Sequence, residues 1–437
     1  MEKSCREILT GVLALCVLTG CLASDLPVLP PSAAAETVGL TGELEILHYL
    51  DGAKLELWEQ FVEEFTDMHP GVVIKTTGID YENFLPLMHS RAAAGDLPDF
   101  WQAAPVEVAD LVKAGMVLDL KRAGVIDRLP LKGNNIFAEC SWGDDGAIWG
   151  APYSMTVCAL FYNKDIFDSY GLKAPVIQSE FLEICKILKR NGVDPFIRAN
   201  SDYQSLYADL CCELIPRLIA KGHADYYTRL MNGQSTFADY EEFRLATDNM
   251  LVRYNWSRPD DMENDMRTAA EKFAAGEAAM YIGQLTAMTQ VMDINPDFNL
   301  HCVPFPFTEY QRINHKMVIE LDDGWMINAN AEAPEVAIEW LKFLYETEQA
   351  QRWSDRVGLL MVQTGLDISG QKPYLRELAY VHRSGKTVQN CVPTLIGEFA
   401  GQWPACLQSW IANPQRSTDM LIENGQNVFD VIIASQK

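Results

Sequence analysis

Apolar residues from Glu43 onward follow two spacings that alternate along the chain. Leu44–Leu50 is a short, mostly apolar run, as in a buried strand, whereas the next stretch repeats its apolar residues at the i, i+3, i+4 spacing of a helix. The apolar positions of that helix are Leu55, Trp58, Phe61, Val62, Phe65 and Met68. Proline and glycine interrupt helices, so His69-Pro70-Gly71 is its predicted end.

The same alternation continues towards the middle of the chain. Residues 72–79 (VVIKTTGI) and 99–103 (DFWQA) have the composition of strands, and a helical stretch between them ends at Gly95-Asp96-Leu97-Pro98. Alternating strands and helices predict a mainly parallel sheet with helices on both faces. Ligands of such sheets lie at the carboxyl ends of the strands. The loops at those ends hold Asp51, Tyr81, Trp101 and Gln102.

The second half of the chain has a similar pattern. Ser179 is the predicted N-cap of a helix with the sequence EFLEICKILKRNG. Pro334 stands at the first position of a second helix, since proline fits there without losing a hydrogen bond. Trp340 lies on the apolar face of that helix, as Trp58 does on the first one, and we assign both side chains to the core.

Length and composition narrow the class of protein. The chain has 437 residues, 48% of them hydrophobic, and single cores stop growing near roughly 250–300 residues, so we expect two lobes. The net charge of −25 argues against a nucleic-acid partner. The sequence has no G-x-S-x-G, H-E-x-x-H, P-loop or G-x-G-x-x-G motif, and its 11 cysteines form no C-x-x-C pair. We therefore predict no catalytic residue, no metal and no cofactor.

The N-terminus has the features of an export signal. An apolar run from Ile8 to Leu18 follows basic residues and is too short to span a bilayer, which predicts a signal peptide over residues 1–20. Leu18-Thr19-Gly20-Cys21 closely resembles the lipobox of bacterial lipoproteins, which implies that Cys21 is lipidated. Residues 21–41 are rich in Pro, Ala and Ser and are expected to form a flexible tether. We thus expect the protein at the outer face of the cytoplasmic membrane.

Five segments of the chain are distinctive when taken together and in order; they are LWEQFVEEFTDMHPGVVIKT, AAGDLPDFW, GAPYSMTVCALFYNKDIF, KFAAGEAAMYIG and DDGWMINANAEAPEVAIEWLKFL. They span about Leu44 to Phe343. In this order they resemble the extracellular solute-binding proteins of bacterial ABC importers, in the carbohydrate-binding family related to maltose-binding protein.

This resemblance implies an α/β, two-lobe periplasmic-binding-protein-like (type II) fold with hinge-linked lobes. The expected lobes are residues 42–152 plus 305–346, and 153–304 plus 347–437. The chain is expected to cross between them near Gly150–Ser154, Cys302–Phe307 and Tyr345–Gln351. A ligand bound by both lobes favours closure through its extra affinity for the closed state. The family resemblance further implies a monomer that delivers its solute to membrane permease subunits.

The resemblance does not decide which class of solute the protein binds. Leu285 stands where the family often has a stacking aromatic, and Gln284 precedes it. A mono- or oligosaccharide is the expected solute, and a non-sugar solute such as a polyamine is the alternative. A lipid-anchored glycoside hydrolase is a further alternative, although the pairs Asp144-Asp145 and Asp322-Asp323 are adjacent and would face opposite ways in a strand.

Candidate ligand-binding residues follow from the chemistry of sugars. Aromatic faces cover apolar C–H surfaces, and carboxylates or amides bind paired hydroxyls. Residues of these types at the predicted loop ends, the hinge and the late helical segment form the candidate site. They are Asp51, Tyr81, Trp101, Gln102, Tyr153, Gln284, Asp322, Asp323, Trp325 and Trp403.

Overall fold

The computed structural model describes residues 39–103, 105–129, 141–142, 146–363, 365–390 and 397–435. The predicted signal peptide and the predicted lipidation site, Cys21, therefore lie outside the described residues. Leu40–Lys437 forms one compact unit, and Met1–Gly39 is a separate one. The strands and helices of the described ranges all belong to the compact unit.

Twelve strands are found among the described residues. They are β1 (Thr41–His48), β2 (Gly71–Gly78), β3 (Phe100–Gln102), β4 (Ser141–Trp142), β5 (Ala147–Ile148), β6 (Ala151–Asn163), β7 (Asp194–Phe196), β8 (Ala278–Gln284), β9 (Leu300–Val303), β10 (Met317–Ile327), β11 (Leu360–Met361) and β12 (Thr387–Gln389).

Sixteen α-helices accompany them in the same part of the chain. They are α1 (Gly52–Met68), α2 (Tyr81–Ala94), α3 (Ala109–Lys113), α4 (Lys164–Ser169), α5 (Gln178–Arg190), α6 (Tyr203–Ala220), α7 (Tyr226–Met231), α8 (Glu241–Tyr254), α9 (Met266–Ala274), α10 (Leu285–Ile294), α11 (Gln311–Asn314), α12 (Pro334–Leu344), α13 (Thr347–Val357), α14 (Pro373–Arg383), α15 (Gly397–Ala412) and α16 (Thr418–Ser435).

One mixed sheet in the order β2-β1-β3-β10-β6-β8-β7 organises the molecule. The strands at its two edges are parallel, because β1 pairs with β2 and β3, and β7 pairs with β8, in parallel register. The middle is antiparallel, since β10 pairs with both β3 and β6, and β6 pairs with β8. The prediction of a mainly parallel sheet is thus wrong for the centre. Two long strands, β6 and β10, run there in opposite directions and join two parallel halves.

The two faces of β6 meet different cores, because side chains of a strand alternate between its faces. Tyr153, Met155, Val157 and Phe161 belong to a first core, which also takes in α1, α12, α13 and α10. The opposite face contributes Cys158, Leu160 and Tyr162 to a second core with α5, α6, α8, α15 and α16. A third, smaller core forms between α2, α3, β3 and Met326 of β10.

A buried ion-pair network stabilises the second core. Asp209 accepts hydrogen bonds from Arg198 and Arg253, and Arg253 also lies 2.7 Å from Glu213. Arg217 pairs with Glu213 at 2.7 Å. The buried carboxylates and guanidinium groups thus compensate one another, as charges removed from water require.

The observed starts of two helices can be compared with those predicted from the sequence. Proline at position 334 begins α12, as predicted. Ser179 lies inside α5 rather than at its N-cap, which is Ile177, because the hydroxyl and the backbone N–H of Ser179 both bind the carboxylate of Glu309. The contact that displaces the predicted cap therefore comes from a residue remote in sequence.

Candidate functional site

Polar side chains interrupt the apolar pattern of the two central strands at alternate positions. On β6 these are Ser154 and Thr156, both buried, and on β10 they are Glu320 and Asp322, both partly exposed. Neighbouring elements add further polar groups to them. We call the whole set the polar band; its members are Lys54, Ser154, Thr156, Gln284, Thr286, Glu320, Asp322 and Asn390.

The carboxylate of Asp322 contacts several other members of the polar band. Its Oδ2 accepts a hydrogen bond from Lys54 Nζ at 2.8 Å and lies 3.3 Å from the hydroxyl of Ser154. Its Oδ1 lies 3.0 Å from the hydroxyl of Thr286, which is also 3.0 Å from that of Thr156. One carboxylate therefore connects the first turn of α1 with both central strands and with the start of α10.

Glu320 is the second carboxylate of the polar band, and its partners are neutral. Oε1 accepts from Asn390 Nδ2 at 2.5 Å, and Oε2 accepts from Gln284 Nε2 at 2.8 Å. Burial raises the pKa of this carboxyl, and the two amide hydrogen bonds only partly oppose that effect. The polar band thus contains one carboxylate that is paired with a lysine and one that is held by amides.

The polar band lies between two apolar cores. Along β10, Val318 belongs to the second core, Glu320 and Asp322 follow, and Met326 belongs to the third core. Register shifts flank Asp323 in the pairing of β10 with β6. Such irregularities occur next to functional sites, where they redirect side chains. The first core is continuous across the opposite face, so the polar band interrupts the apolar packing on one face of the sheet.

The loops after β1, β2 and β3 lie at one end of the sheet, at the carboxyl ends of its parallel strands. Tyr49 packs edge-on against Tyr81, with ring centroids 5.1 Å apart. Tyr81 is 53% exposed and donates its hydroxyl to Glu107 at 2.7 Å. Gln102 Oε1 accepts the backbone N–H of Tyr49 at 3.0 Å. Asp51, which is exposed, precedes α1 one turn before Lys54.

The predicted polar candidates fall into two groups in the structure. Gln284 and Asp322 belong to the polar band, and Asp51, Tyr81 and Gln102 lie on the loops of the adjoining sheet end. Asp323 lies on β10, where its backbone pairs with Ser154, and its side chain is outside what the structure describes. Its role stays a prediction.

The predicted aromatic candidates have a different environment. Trp101, Tyr153, Trp325 and Trp403 are each at most 1% exposed. Trp325 stacks on Trp58 and Phe100, and Tyr153 packs against Tyr345 and Trp353. Trp403 contacts Phe237 and Phe243, whereas Trp101 lies in the third core. None of these four rings presents a free face in this conformation, so their contact with a ligand stays a prediction.

Residues that the sequence pattern did not single out complete the polar band. They are Lys54, Ser154, Thr156, Thr286, Glu320 and Asn390. A signal for three of them exists, since Ser154, Thr156 and Glu320, together with the predicted Asp322, alternate within two otherwise mostly apolar strands. Alternation in a strand places such residues on one face. The contact of Lys54 with Asp322 joins positions 268 residues apart, and no local pattern predicts it.

Two surface hollows lie away from the polar band. One of about 420 Å³ is lined by Pro216, Ala220, Tyr310, Arg312, Ile313 and Lys316. The other, of about 370 Å³, has several acidic side chains, among them Glu43, Glu45, Asp96, Asp99 and Glu332. Neither hollow includes a member of the polar band. We assign the site from side-chain chemistry and its place between the cores, and not from the size of a hollow.

Within the described ranges, no group of three or more His, Cys, Asp or Glu side chains could hold a metal ion. The six cysteines of this part of the chain are free thiols. No helix in the same part combines the length and hydropathy that crossing a membrane requires.

The mixed sheet, with two parallel halves joined by two long central strands, has the two-lobe, type II architecture of solute-binding proteins. The chain belongs to the bacterial extracellular solute-binding proteins, whose family model matches residues 52–351. Membership of this family implies an exported protein. The predicted family and fold class are thereby confirmed.

Three relatives match more than half of the chain. An ABC transporter extracellular-binding protein of Pyrococcus horikoshii is 25% identical over 362 residues, which cover 78% of this chain and 76% of that protein. A multiple sugar-binding protein of Streptococcus mutans is 20% identical over 337 residues, 74% of this chain and 77% of its own. A melibiose/raffinose/stachyose-binding protein of Bacillus subtilis is 25% identical over 252 residues, 56% of each chain.

Solved structures share the fold at low sequence identity. A chitin oligosaccharide binding protein superposes with a TM-score of 0.77 at 19% identity, covering 90% of this chain and 100% of that one. The apo form of RafE from Streptococcus pneumoniae has a TM-score of 0.74 at 18% identity, covering 90% and 98%. At these identities the likeness concerns the fold.

Proposed function

We propose that the protein is a lipid-anchored surface receptor that binds a mono- or oligosaccharide at the polar band and delivers it to the permease of an ABC importer. The observation that carries this proposal is the polar band itself. Its hydroxyls, amides and carboxylates lie between two apolar cores, on the two central strands and the elements next to them.

This donor and acceptor set suits a polyhydroxylated ligand. A sugar hydroxyl both donates and accepts, and carboxylates, amides and hydroxyls of the polar band can do the converse. Tyr81 and Tyr49 on the adjoining loops supply aromatic surface for the apolar C–H faces of a sugar ring. Groups from α1 and from both central strands converge on Asp322, so a ligand bound there would contact both halves and favour their closure.

The relatives support the same solute class. Two of the matched proteins are described as sugar-binding, and one of the matched structures is of a chitin oligosaccharide binding protein. The association with an ABC importer rests on the family and on the ABC transporter relative of Pyrococcus horikoshii. Action as a monomer, with lobes over 42–152 plus 305–346 and 153–304 plus 347–437, is part of the proposal.

A thermal-shift screen tests the solute class. The chain from residue 22 onward retains the compact unit Leu40–Lys437 and lacks only residues of the separate N-terminal unit. A ligand that binds the native state at about 100 times its Kd stabilises that state by about 2.7 kcal/mol. We expect Tm to rise with a mono- or oligosaccharide, raffinose and chitin oligosaccharides being the first to test.

The other solute classes serve as controls in the same screen. A rise in Tm with spermidine and with no saccharide would exclude the sugar proposal and favour a polyamine receptor. Release of a chromophore from aryl glycosides, lost in Asp323→Asn, would instead indicate a glycoside hydrolase.

The lipid anchor is a separate part of the proposal with its own test. We expect Cys21→Ala to shift the protein from the membrane fraction to the soluble or secreted fraction, because the acyl chains would have no attachment site. Fractionation and immunoblotting measure this directly. Cys16→Ala, which changes a cysteine inside the apolar run, is the matched control and should leave attachment intact. Unchanged attachment of Cys21→Ala would refute the lipobox assignment.

A further inference from the structure

Glu320 differs from the other carboxylate of the polar band in the charge of its partners. Asp322 has a lysine 2.8 Å away, whereas Glu320 is held by the side-chain amides of Gln284 and Asn390. No lysine or arginine of the described ranges forms an ion pair with Glu320. Glu320 is partly exposed as a residue, whereas Ser154 and Thr156 of the same band are buried.

The two amide hydrogen bonds leave part of this carboxylate available. An ionised carboxylate offers about four lone-pair positions, and the amides occupy two of them, one on each oxygen. The amides also fix the orientation of the group, so it need not reorganise to accept further donors. What the surroundings do not supply is positive charge, and a carboxylate removed from water is costly without it.

We propose that the solute carries a protonated amino group that binds Glu320, and that the ligand is an amino sugar or an oligosaccharide containing one. This inference rests on the proposed saccharide function and specifies its substrate class. A charged N–H donor forms a shorter hydrogen bond to a carboxylate than a neutral donor does, and one that is roughly twice as strong. Glu320 would thus distinguish an amino sugar from its neutral counterpart.

The rest of the polar band favours a single ammonium among hydroxyls over a solute with many charges. The hydroxyls of Ser154, Thr156 and Thr286 are grouped around Asp322, whose charge Lys54 already compensates. A polyamine would bring several cations to a place where Glu320 is, among the described side chains of the polar band, the one carboxylate without a basic partner. An amino sugar brings one cation per residue together with hydroxyls that match the neutral groups.

Matched saccharides that differ only at the amino group provide the test. Glucosamine and its trimer carry protonated amino groups in mildly acidic buffer, while N-acetylglucosamine and its trimer are neutral. We expect calorimetric titration of the chain from residue 22 onward to show at least about tenfold tighter binding of the amino form of a pair, or about 1.4 kcal/mol. The E320Q variant should bring this ratio close to one, because glutamine keeps the shape and loses the charge.

A matched control and the outcomes complete the design. E377Q changes a glutamate that binds His301 and the backbone of Cys302, far from the polar band, and should keep the wild-type ratio. The wild-type comparison is informative even if E320Q does not fold. Equal or tighter binding of the neutral form, a ratio that E320Q leaves unchanged, or preference for spermidine would overturn the inference. If neutral sugars bind and amino sugars do not, the protein is a saccharide receptor and the amino-sugar inference is wrong. If no saccharide binds, the receptor proposal and the amino-sugar inference are both wrong.

Discussion

Replacement of Asp209 by alanine is expected to lower the free energy of unfolding by about 3–5 kcal/mol. The side chain of Asp209 is 3% exposed and pairs with Arg198 and Arg253, which are 6% and 2% exposed. Without the carboxylate, Arg198 loses its buried ion-pair partner and Arg253 keeps only Glu213. A buried guanidinium that lacks its counter-charge is the reason for so large a loss.

Urea unfolding followed by tryptophan fluorescence measures this effect. The matched control is Glu56→Ala, which removes an ion pair with Arg356 whose side chains are 64% and 58% exposed. Exposed pairs contribute about 0–1 kcal/mol, so the control should stay close to the wild type. Similar losses of unfolding free energy in Asp209→Ala and Glu56→Ala would show that the ion-pair network around Asp209 does not behave as a buried one.

Replacement of Trp325 by alanine, as a separate single variant, is expected to lower the free energy of unfolding by about 3–5 kcal/mol. Its ring stacks on that of Trp58 with centroids 4.6 Å apart and on that of Phe100 at 5.3 Å. Alanine would leave a cavity between the two rings. Trp325→Phe should lose much less, because the indole N–H makes no hydrogen bond within the described structure and phenylalanine keeps much of the stack.

The same variant separates two roles for Trp325. The sequence pattern predicts that Trp325 contacts the ligand. If so, Trp325→Ala would lower the affinity for sugar and leave stability near that of the wild type. The packing seen in the structure predicts the reverse, a large loss of stability that Trp325→Phe largely avoids. Tyr81→Ala is the control for an exposed aromatic, and its stability should change by less than about 1 kcal/mol. Weak binding by a fully stable Trp325→Ala would identify the ring as a ligand contact.

Much of the fold follows from local patterns. The alternation of strands and helices, the apolar face of α1 and the start of α12 at Pro334 are all visible in the sequence. The core assignment of Trp58 and Trp340 is also confirmed, since both are fully buried. The antiparallel centre of the sheet could not be predicted in this way, because strand direction depends on which distant strands pair.

The site was harder to predict for two physical reasons. An aromatic ring next to a predicted loop can cover a sugar or fill a core, and composition does not distinguish these uses; Trp325 and Trp403 illustrate this by their burial. The polar band, by contrast, arises from contacts between elements far apart in the chain. Glu320 meets Gln284 and Asn390, at separations of 36 and 70 residues, only after the sheet has formed.

The central claim is that the polar band binds a saccharide, and calorimetric titration of wild type and Asp322→Asn tests it most directly. Asp322 lies on β10 and its carboxylate contacts side chains of α1, β6 and α10. A hydrogen bond to a charged acceptor such as this carboxylate contributes about 1.5–3 kcal/mol. Glu45→Gln, which alters a carboxylate paired with Arg91 away from the polar band, is the control. We predict saturable binding of a saccharide by the wild type and the control, and at least about tenfold weaker binding by Asp322→Asn. Undiminished affinity in Asp322→Asn, or no saccharide binding by the wild type, would contradict the account.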